Sequence, residues 1–254
     1  DPDKTGEIVF DKVSFRYPDA EEDVLKDISF TAGKGETVAL IGATGCGKST
    51  VINLIPRFYD ATEGTVSVDG VNVKDYSQKE LRNKIGYVSQ KATLFTGTIE
   101  SNVAYGDNGQ KNASETDIKK ALDIAQASEF VDSLEDGSKA YVAQGGSNFS
   151  GGQKQRMSIA RAIARKPEIL IFDDSFSALD YKTDRVLREA LAKSCKDSTR
   201  IVVAQRIGTI RDADRIIVLE DGKIAGMGRH EELMRDCEVY RQIALSQLSK
   251  EELA

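Results

Sequence analysis

Short apolar runs alternate with glycine-bounded turns along the 254 residues of this chain. Some runs are almost purely apolar, which is typical of strands that are buried on both faces of a parallel sheet. Others alternate between apolar and polar positions, which predicts half-buried strands. The first kind covers residues 37–41, 169–172, 201–205 and 216–219, and the second kind covers 7–10, 13–17, 24–30 and the hairpin 64–71. This pattern predicts an α/β fold with a mostly parallel sheet and an antiparallel part.

Helical spacing lies between and after these runs. Residues 99–130 are rich in helix formers and have a helical period over 117–125. Another helix begins at Ser150 and ends before Pro167, with polar and apolar positions on opposite sides. The C-terminal stretch 230–248 is helical in composition.

The glycine-rich loop after the run at 37–41 is the most informative stretch. Between a strand and a helix, such a loop binds phosphate, because glycines let the backbone approach an anion and the loop N–H groups point at it. Lys48 would contact the β- and γ-phosphates, and the Ser49 hydroxyl would contact Mg²⁺. This phosphate loop consists of Gly42, Ala43, Thr44, Gly45, Cys46, Gly47, Lys48, Ser49 and Thr50. The alternative is a glycine-rich turn with a chance lysine, which the flanking elements disfavour.

Three further positions carry candidate chemistry. Asp173 and Asp174 follow the apolar run at 169–172, and the carboxyl end of a buried strand is where Mg²⁺ is held opposite a phosphate loop. The glycines at the start of the helix at Ser150 form a second possible anion site. Tyr17 either stacks on an adenine ring or is simply a residue of the sheet.

Charge and cysteine content narrow the possible functions. A net charge of −6 argues against a general nucleic-acid surface, which is normally basic. No apolar run is long enough to cross a bilayer. The widely spaced Cys46, Cys195 and Cys237 form no metal pattern and indicate a reducing compartment. Because the sequence does not begin with methionine, we also expect a domain of a longer protein.

The ordered motifs identify a family resemblance: the chain resembles the nucleotide-binding domain of ATP-binding cassette (ABC) transporters over nearly its whole length. The resemblance implies ATP and Mg²⁺ as cofactors, and Ser49, Gln90 and Asp173 as the Mg²⁺ contacts. It also implies ATP hydrolysis, with water and γ-phosphate contacted by Gln90, Asp174 and Gln205. The other implied contacts are adenine stacking by Tyr17, the Walker A loop at 42–50, the signature residues Ser150, Gly151, Gly152 and Gln153, and the D-loop residue Asp180.

Residues 94–99 and 102–106 resemble the exporter branch of this family. That implies a fused transmembrane domain, a position at the cytoplasmic face of the cell membrane, and a second cassette that meets this one head to tail. Each ATP would lie between one Walker A loop and the partner's signature. The implied fold is a P-loop NTPase with a RecA-like core and an antiparallel β subdomain at about 1–90 and 154–254, and a helical subdomain at about 91–153.

Several positions depart from the family pattern. Asp174 stands where a glutamate is usual, so its carboxylate is withdrawn by about 1.5 Å. Gln205 stands where a histidine is usual, and it carries no charge. Phe149 replaces the usual leucine before the signature, and the lone histidine, His230, comes too late in the chain to substitute for Gln205. We expect His230 to have a surface or capping role.

These departures resemble the degenerate cassette of heterodimeric exporters. We expect the chain to bind Mg-ATP, to hydrolyse it slowly at its own site, and to complete an active site on a non-identical partner cassette. The alternative is a purely regulatory ATP-binding module without useful turnover. A third possibility, a soluble family member acting on DNA or ribosomes, is disfavoured by the acidic charge and by residues 94–106.

Overall fold

The structure is a computed structural model that describes residues 4–109 and 111–251. The strands are β1 (Ile8–Phe15), β2 (Leu25–Ala32), β3 (Thr37–Ile41), β4 (Glu63–Val68), β5 (Val71–Asn72), β6 (Ile85–Val88), β7 (Gly97–Thr98), β8 (Tyr141–Val142), β9 (Ile169–Asp173), β10 (Thr199–Val203), β11 (Arg215–Glu220) and β12 (Lys223–Gly228). The α-helices are α1 (Lys48–Leu54), α2 (Gln78–Asn83), α3 (Ile99–Val103), α4 (Glu115–Ile124), α5 (Ser128–Asp132), α6 (Gly151–Ala164), α7 (Tyr181–Ser194), α8 (Ile207–Ile210), α9 (His230–Asp236) and α10 (Glu238–Glu251).

The chain divides into two compact units. The first consists of the described parts of Asp1–Leu81 and Thr199–Ala254, and the second is Arg82–Ser198 without residue 110. A helical subdomain at about 91–153 stays a prediction. No helix within the described residues is both long and apolar enough to cross a membrane.

An antiparallel sheet in the order β2-β1-β4-β5 belongs to the first unit. Phe10 stacks on Phe30 across the β1–β2 pair, with ring centroids 4.6 Å apart. The alternation predicts two strands, at 7–10 and 13–17, but the structure has the single strand β1. The register of β1 against β2 shifts between Phe10 and Val13, and this bulge keeps apolar side chains on the buried face on both sides of the irregularity.

A second set of strands in the first unit has the order β12-β11-β3-β10. The pairs β11–β3 and β3–β10 are parallel, whereas β12 returns antiparallel to β11 through the turn at Asp221 and Gly222. Strand β3 is buried except for its first residue, and β10 is buried throughout. The predicted parallel strands are therefore confirmed, and the carboxyl end of β3 leads directly into the phosphate loop.

The second unit contains the parallel pair β6–β9 and the short antiparallel pair β7–β8, together with α3 to α7. Residues Ile169–Phe172 are fully buried, as their continuous apolar run predicts. Helix α7 is an element that the sequence reading missed. Its signals are the N-cap Asp180 and the buried pair Leu187 and Leu191, which are diluted among charged residues.

The C-terminal stretch forms two helices rather than one. Cys237, with φ −119° and ψ 106°, is extended and separates α9 from α10. Tyr240 of α10 is fully buried, and its hydroxyl oxygen lies 2.7 Å from His230 Nδ1. Burial raises the pKa of Tyr240 to about 12. His230 is the first residue of α9, whose N-cap is Arg229, so its contact is structural but it is not the helix cap.

Candidate nucleotide site

Two glycines let the phosphate loop fold closely around a central space. A Cβ at Gly42 would lie 2.2 Å from the carbonyl oxygen of Leu219, and Gly47 has φ +108°, a conformation that favours glycine. The ammonium of Lys48 lies across the loop and donates to the carbonyl oxygens of Gly42 and Ala43, at 2.6 and 3.0 Å. The loop therefore places one cation within a ring of backbone groups, where a phosphate chain is held in nucleotide-binding loops.

The helix that follows the loop connects it to Tyr17. The Tyr17 hydroxyl lies 2.9 Å from Thr50 Oγ1, and Thr50 is buried in the first turn of α1. The rings of Phe15 and Tyr59 make T-shaped contacts with the Tyr17 ring, with centroid distances of 4.8 and 5.2 Å. Tyr17 is half-buried, so it presents an aromatic surface beside the phosphate loop. Ser49 is exposed in the same turn.

Gln205 also lies beside the phosphate loop. A cavity of about 540 Å³ is lined by residues 42–46, by Gln205, by the end of β11 and by side chains of α10. Gln205 follows the buried strand β10, which pairs directly with β3, so that the two strands end at the same edge. The structure thus brings together the candidates Tyr17, Gln205 and Gly42 to Thr50 within the first unit.

The second unit brings together Gln90 and the two aspartates. Gln90 Nε2 donates to Asp174 Oδ2 at 3.1 Å, and the Tyr87 hydroxyl lies 3.5 Å from Asp173 Oδ2. Burial, followed by the nearby charge of Asp173, raises the pKa of Tyr87, so this phenol stays protonated. Both aspartates come from the end of β9, and Gln90 follows the neighbouring strand β6. Three of the candidates for metal and water contact, Gln90, Asp173 and Asp174, therefore share one edge of the parallel pair.

Asp174 is held in a specific geometry. Its side chain is 9% exposed, and its φ of 48° is a left-handed value that aspartate tolerates better than most residues. Its carbonyl oxygen accepts a hydrogen bond from Ser177 Oγ at 2.9 Å.

Two buried side chains fix the backbone near Gln90: Ser175 donates to the Val88 carbonyl at 2.8 Å, and Gln155 donates to the Ser89 carbonyl at 3.2 Å. Sequence reasoning missed Ser175 and Gln155, because neither has a local motif.

The signature residues form the first turn of α6. Ser150 Oγ accepts from the Gln153 N–H at 3.2 Å, and Gln153 Oε1 accepts from the Ser150 N–H at 2.9 Å, which makes a capping box. A Cβ on the exposed Gly151 would meet nothing within 4 Å, whereas one on Gly152 would lie 3.3 Å from the Ala178 carbonyl oxygen. The helix start is thus rigid, open at Gly151, and in contact with the segment that precedes Asp180.

Phe149 is accommodated by aromatic packing. The centroid of its half-buried ring lies 6.4 Å from that of Phe130. The guanidinium carbon of Arg156 lies 4.8 Å from the centroid of the Phe130 ring. Arg156 also donates to the Gln126 carbonyl at 2.7 Å. The larger side chain therefore has a packed position beneath the first turn of α6.

Asp180 is the N-cap of α7. Its carboxylate accepts from the Thr183 N–H at 2.9 Å and from the Thr183 hydroxyl at 2.8 Å. These hydrogen bonds, first the one from the backbone, lower the pKa of Asp180. The Asp180 side chain is exposed and is ionised at neutral pH. It caps the helix and at the same time remains accessible to solvent.

Comparisons with known proteins identify the family to which this chain belongs. The family model described as ABC transporter matches residues 25–177. An uncharacterized ABC transporter ATP-binding protein of Mycobacterium tuberculosis is 47% identical over 243 residues, which are 96% of this chain and 41% of that protein. A putative multidrug export ATP-binding/permease protein of Staphylococcus aureus is 44% identical over 240 residues, or 94% of this chain and 41% of that protein.

A solved structure gives the same result. The structure of a bacterial Atm1-family ABC exporter with ATP bound superposes with a TM-score of 0.90 at 36% identity, over 97% of this chain and 43% of that one. This chain belongs to the ABC transporter family, whose ATP-binding domains are ATPases coupled to transport, and it has their P-loop NTPase fold. It spans about two fifths of the length of these two curated relatives.

The position of Cys46 leads to a prediction about thiol reagents. Its buried Sγ lies 3.7 Å from Lys48 Nζ, so a covalent adduct would occupy the space beneath the loop. We expect full modification at Cys46 to abolish ATP binding, measured by titration with a fluorescent ATP analogue. Cys46→Ser should bind ATP and resist the reagent. Normal binding by the fully modified wild type would contradict the prediction.

Proposed function

We propose that this chain is the ATP-binding cassette of an exporter, binding Mg-ATP at its phosphate loop and powering transport through a transmembrane domain. The observation that carries the proposal is the Lys48 ammonium, which lies across the loop with Tyr17 bonded to the helix that follows. A cation held on the backbone of a glycine-rich loop, at a helix N-terminus and beside an aromatic face, suits a nucleoside triphosphate. The family membership and the exporter relatives support the same function.

The residues fit a magnesium ion by their donor chemistry. Mg²⁺ prefers oxygen ligands and is usually held by one or two protein groups together with substrate phosphates. Ser49 offers an exposed hydroxyl, Asp173 a half-buried carboxylate, and Gln90 a side-chain amide whose Nε2 donates to Asp174. When bound, the ion would neutralise charge on the β- and γ-phosphates. Within the described residues no group of three or more histidine, cysteine or acidic side chains is placed to hold a metal ion.

We infer that hydrolysis at the chain's own site is slow. The carboxylate of Asp174, which would polarise the attacking water, is one methylene shorter than glutamate and accepts a hydrogen bond from Gln90. Gln205 can donate a hydrogen bond to a γ-phosphate, but it carries no positive charge. Poorly placed general-base assistance typically costs about 10²–10⁴ in rate. Binding groups are complete, so affinity for ATP should be ordinary.

The signature turn supports a role in a partner's site. Its capping box fixes the N-terminus of α6, and the open Gly151 lets an anion approach the helix end. We propose that Ser150, Gly151, Gly152 and Gln153, with Asp180 beside them, complete the nucleotide site of a second, non-identical cassette. The assembly would lie at the cytoplasmic face of the cell membrane, attached to its transmembrane domain.

A regulatory module without useful turnover is the second candidate. The Gln90–Asp174 hydrogen bond favours it, because it occupies the carboxylate that would otherwise hold water. ATP would then act only as a link between two cassettes. Phosphate release by the double variant Asp174→Glu and Gln205→His separates this candidate from a slow but functional ATPase.

A substitution at Gly151 tests the signature. Since a Cβ there meets no atom within 4 Å, Gly151→Asp should fold, while its charge opposes an anion at the helix N-terminus. We expect unchanged affinity for Mg-ATP in the isolated chain, and a fall of at least about tenfold in ATP turnover when it is mixed with a candidate partner cassette. Gly151→Asn is the size-matched neutral control and should be milder. Equal turnover by the Gly151→Asp and wild-type mixtures would contradict the role of the signature.

A further inference from the structure

Helix α10 reaches the segment that carries Gln205. Residues 205–207 lie where the chain passes from β10 into α8, and we call this segment the switch loop. The side-chain amide of Gln247 bonds to both ends of this loop: its Nε2 donates to the Gln205 carbonyl at 2.6 Å, and its Oε1 accepts from the Ile207 N–H at 2.8 Å. One side chain thus satisfies the backbone on both sides of Arg206.

This contact is built on a fixed helix. Tyr240 and Ala244 are 0% and 2% exposed, and Gln247 follows them at the spacing of one helix face. The Tyr240 hydroxyl is further fixed by His230, and Arg211 at the end of α8 lies close enough to counteract the rise in the pKa of Tyr240. The amide of Gln247 therefore approaches the switch loop from an anchored position.

The switch loop needs such a support. Arg206 is extended, with φ −93° and ψ 127°, and the Ile207 N–H begins a helix of only four residues. The first N–H groups of a helix have no partner within it, and no side-chain cap serves the start of α8. Gln247 supplies the missing acceptor from a distant part of the sequence.

The same helix faces the phosphate loop. The 540 Å³ cavity that is lined by residues 42–46 and Gln205 has a wall of α10 side chains, among them Ile243 and Ser246. The cavity and the two hydrogen bonds are independent observations, and both connect α10 to the nucleotide site. A shift of α10 would change the position of Gln205 relative to the loop.

We propose that Gln247 is a positioning residue for Gln205, and that α10 thereby sets the geometry at the γ-phosphate. The inference rests on the proposed ATPase function. Gln247 is not among the residues that line the cavity beside the phosphate loop, so it would act through Gln205. Its two hydrogen bonds hold the backbone of Gln205 and Ile207, so that the Gln205 side chain reaches the same point in each catalytic cycle. Misplacement of a group by about 1 Å can cost up to about 10² in rate.

Amide hydrogen exchange tests the contact without ATP. In Gln247→Ala the Ile207 N–H loses its acceptor, and we expect its exchange to be accelerated by up to about tenfold. Gln247→Glu keeps an acceptor for Ile207 but loses the donor to Gln205, so protection of Ile207 should persist. Gln242→Ala is the matched control, because this glutamine of α10 bonds to Glu238. Unchanged exchange in Gln247→Ala would overturn the proposal.

Single-turnover phosphate release tests the consequence. We expect Gln247→Ala to lower the rate by roughly tenfold and to leave the Kd for Mg-ATP within twofold of wild type. Adding Gln247→Ala to Gln205→Ala should cause no further loss, because Gln247 acts through Gln205. An additive loss, a weakened Kd, or a wild-type rate would overturn the proposal. A wild-type protein that releases no phosphate would instead contradict the proposed function, and the exchange data would then decide on the contact alone.

Discussion

Replacing Asp174 by glutamate and Gln205 by histidine together is expected to raise ATP turnover by about 10²-fold or more. Glutamate extends the carboxylate by about 1.5 Å. In the wild type the shorter Asp174 carboxylate accepts a hydrogen bond from Gln90 Nε2. Histidine adds a group that can carry a proton at neutral pH. General-base assistance of this kind is worth about 10²–10⁴ in rate, or roughly 3–5 kcal/mol of barrier.

The measurement is steady-state phosphate release by the wild type, by Asp174→Glu, by Gln205→His and by the double variant. It is made alone and with a candidate partner cassette. The Kd for Mg-ATP should stay within about threefold of wild type, because both residues act on the chemistry rather than on binding. Lys48→Met in the double background controls for contaminating ATPases.

Each outcome has a definite meaning. A slow wild type and a fast double variant would show that the site is complete except for its chemistry. A brisk wild type would show that Asp174 serves as the base and would exclude the slow-site proposal. A double variant as slow as a slow wild type would favour the purely regulatory module.

Lys48→Met is expected to weaken Mg-ATP binding by about 10- to 100-fold and to remove turnover. A hydrogen bond to a charged group contributes about 1.5–3 kcal/mol, and each 1.4 kcal/mol is about tenfold in affinity. Lys48 also donates to two loop carbonyls, so its removal takes away part of the loop's own hydrogen bonding. Calorimetric titration with ATP and Mg²⁺ measures the effect.

Lys120→Met is the matched control, since Lys120 is exposed on α4 in the other unit and the charge change is the same. Thermal unfolding of both variants checks that the fold is retained. If Lys48→Met bound ATP within threefold of wild type, the assignment of the phosphate loop would be wrong.

The sequence determined the local features whose physics is local. The apolar runs predicted the buried strands at 37–41 and 169–172, because burial on both faces leaves no polar position. The glycine spacing predicted the phosphate loop. The structure gives the physical reason at Gly42, where the close approach to Leu219 leaves no room for a side chain. The serine at position 150 predicted a helix start, and the capping box confirms it.

Only the tertiary structure decided contacts between distant segments. The bond from Gln90 to Asp174 joins residues 84 positions apart, and the bonds from Gln247 to Gln205 and Ile207 span about 40. No periodicity or local spacing encodes such pairs, because they depend on which strands are neighbours in the sheet and on how α10 folds back. The sequence by itself thus determined the candidate binding loop and the family motifs, whereas packing decided which side chains hold the candidate catalytic groups in place.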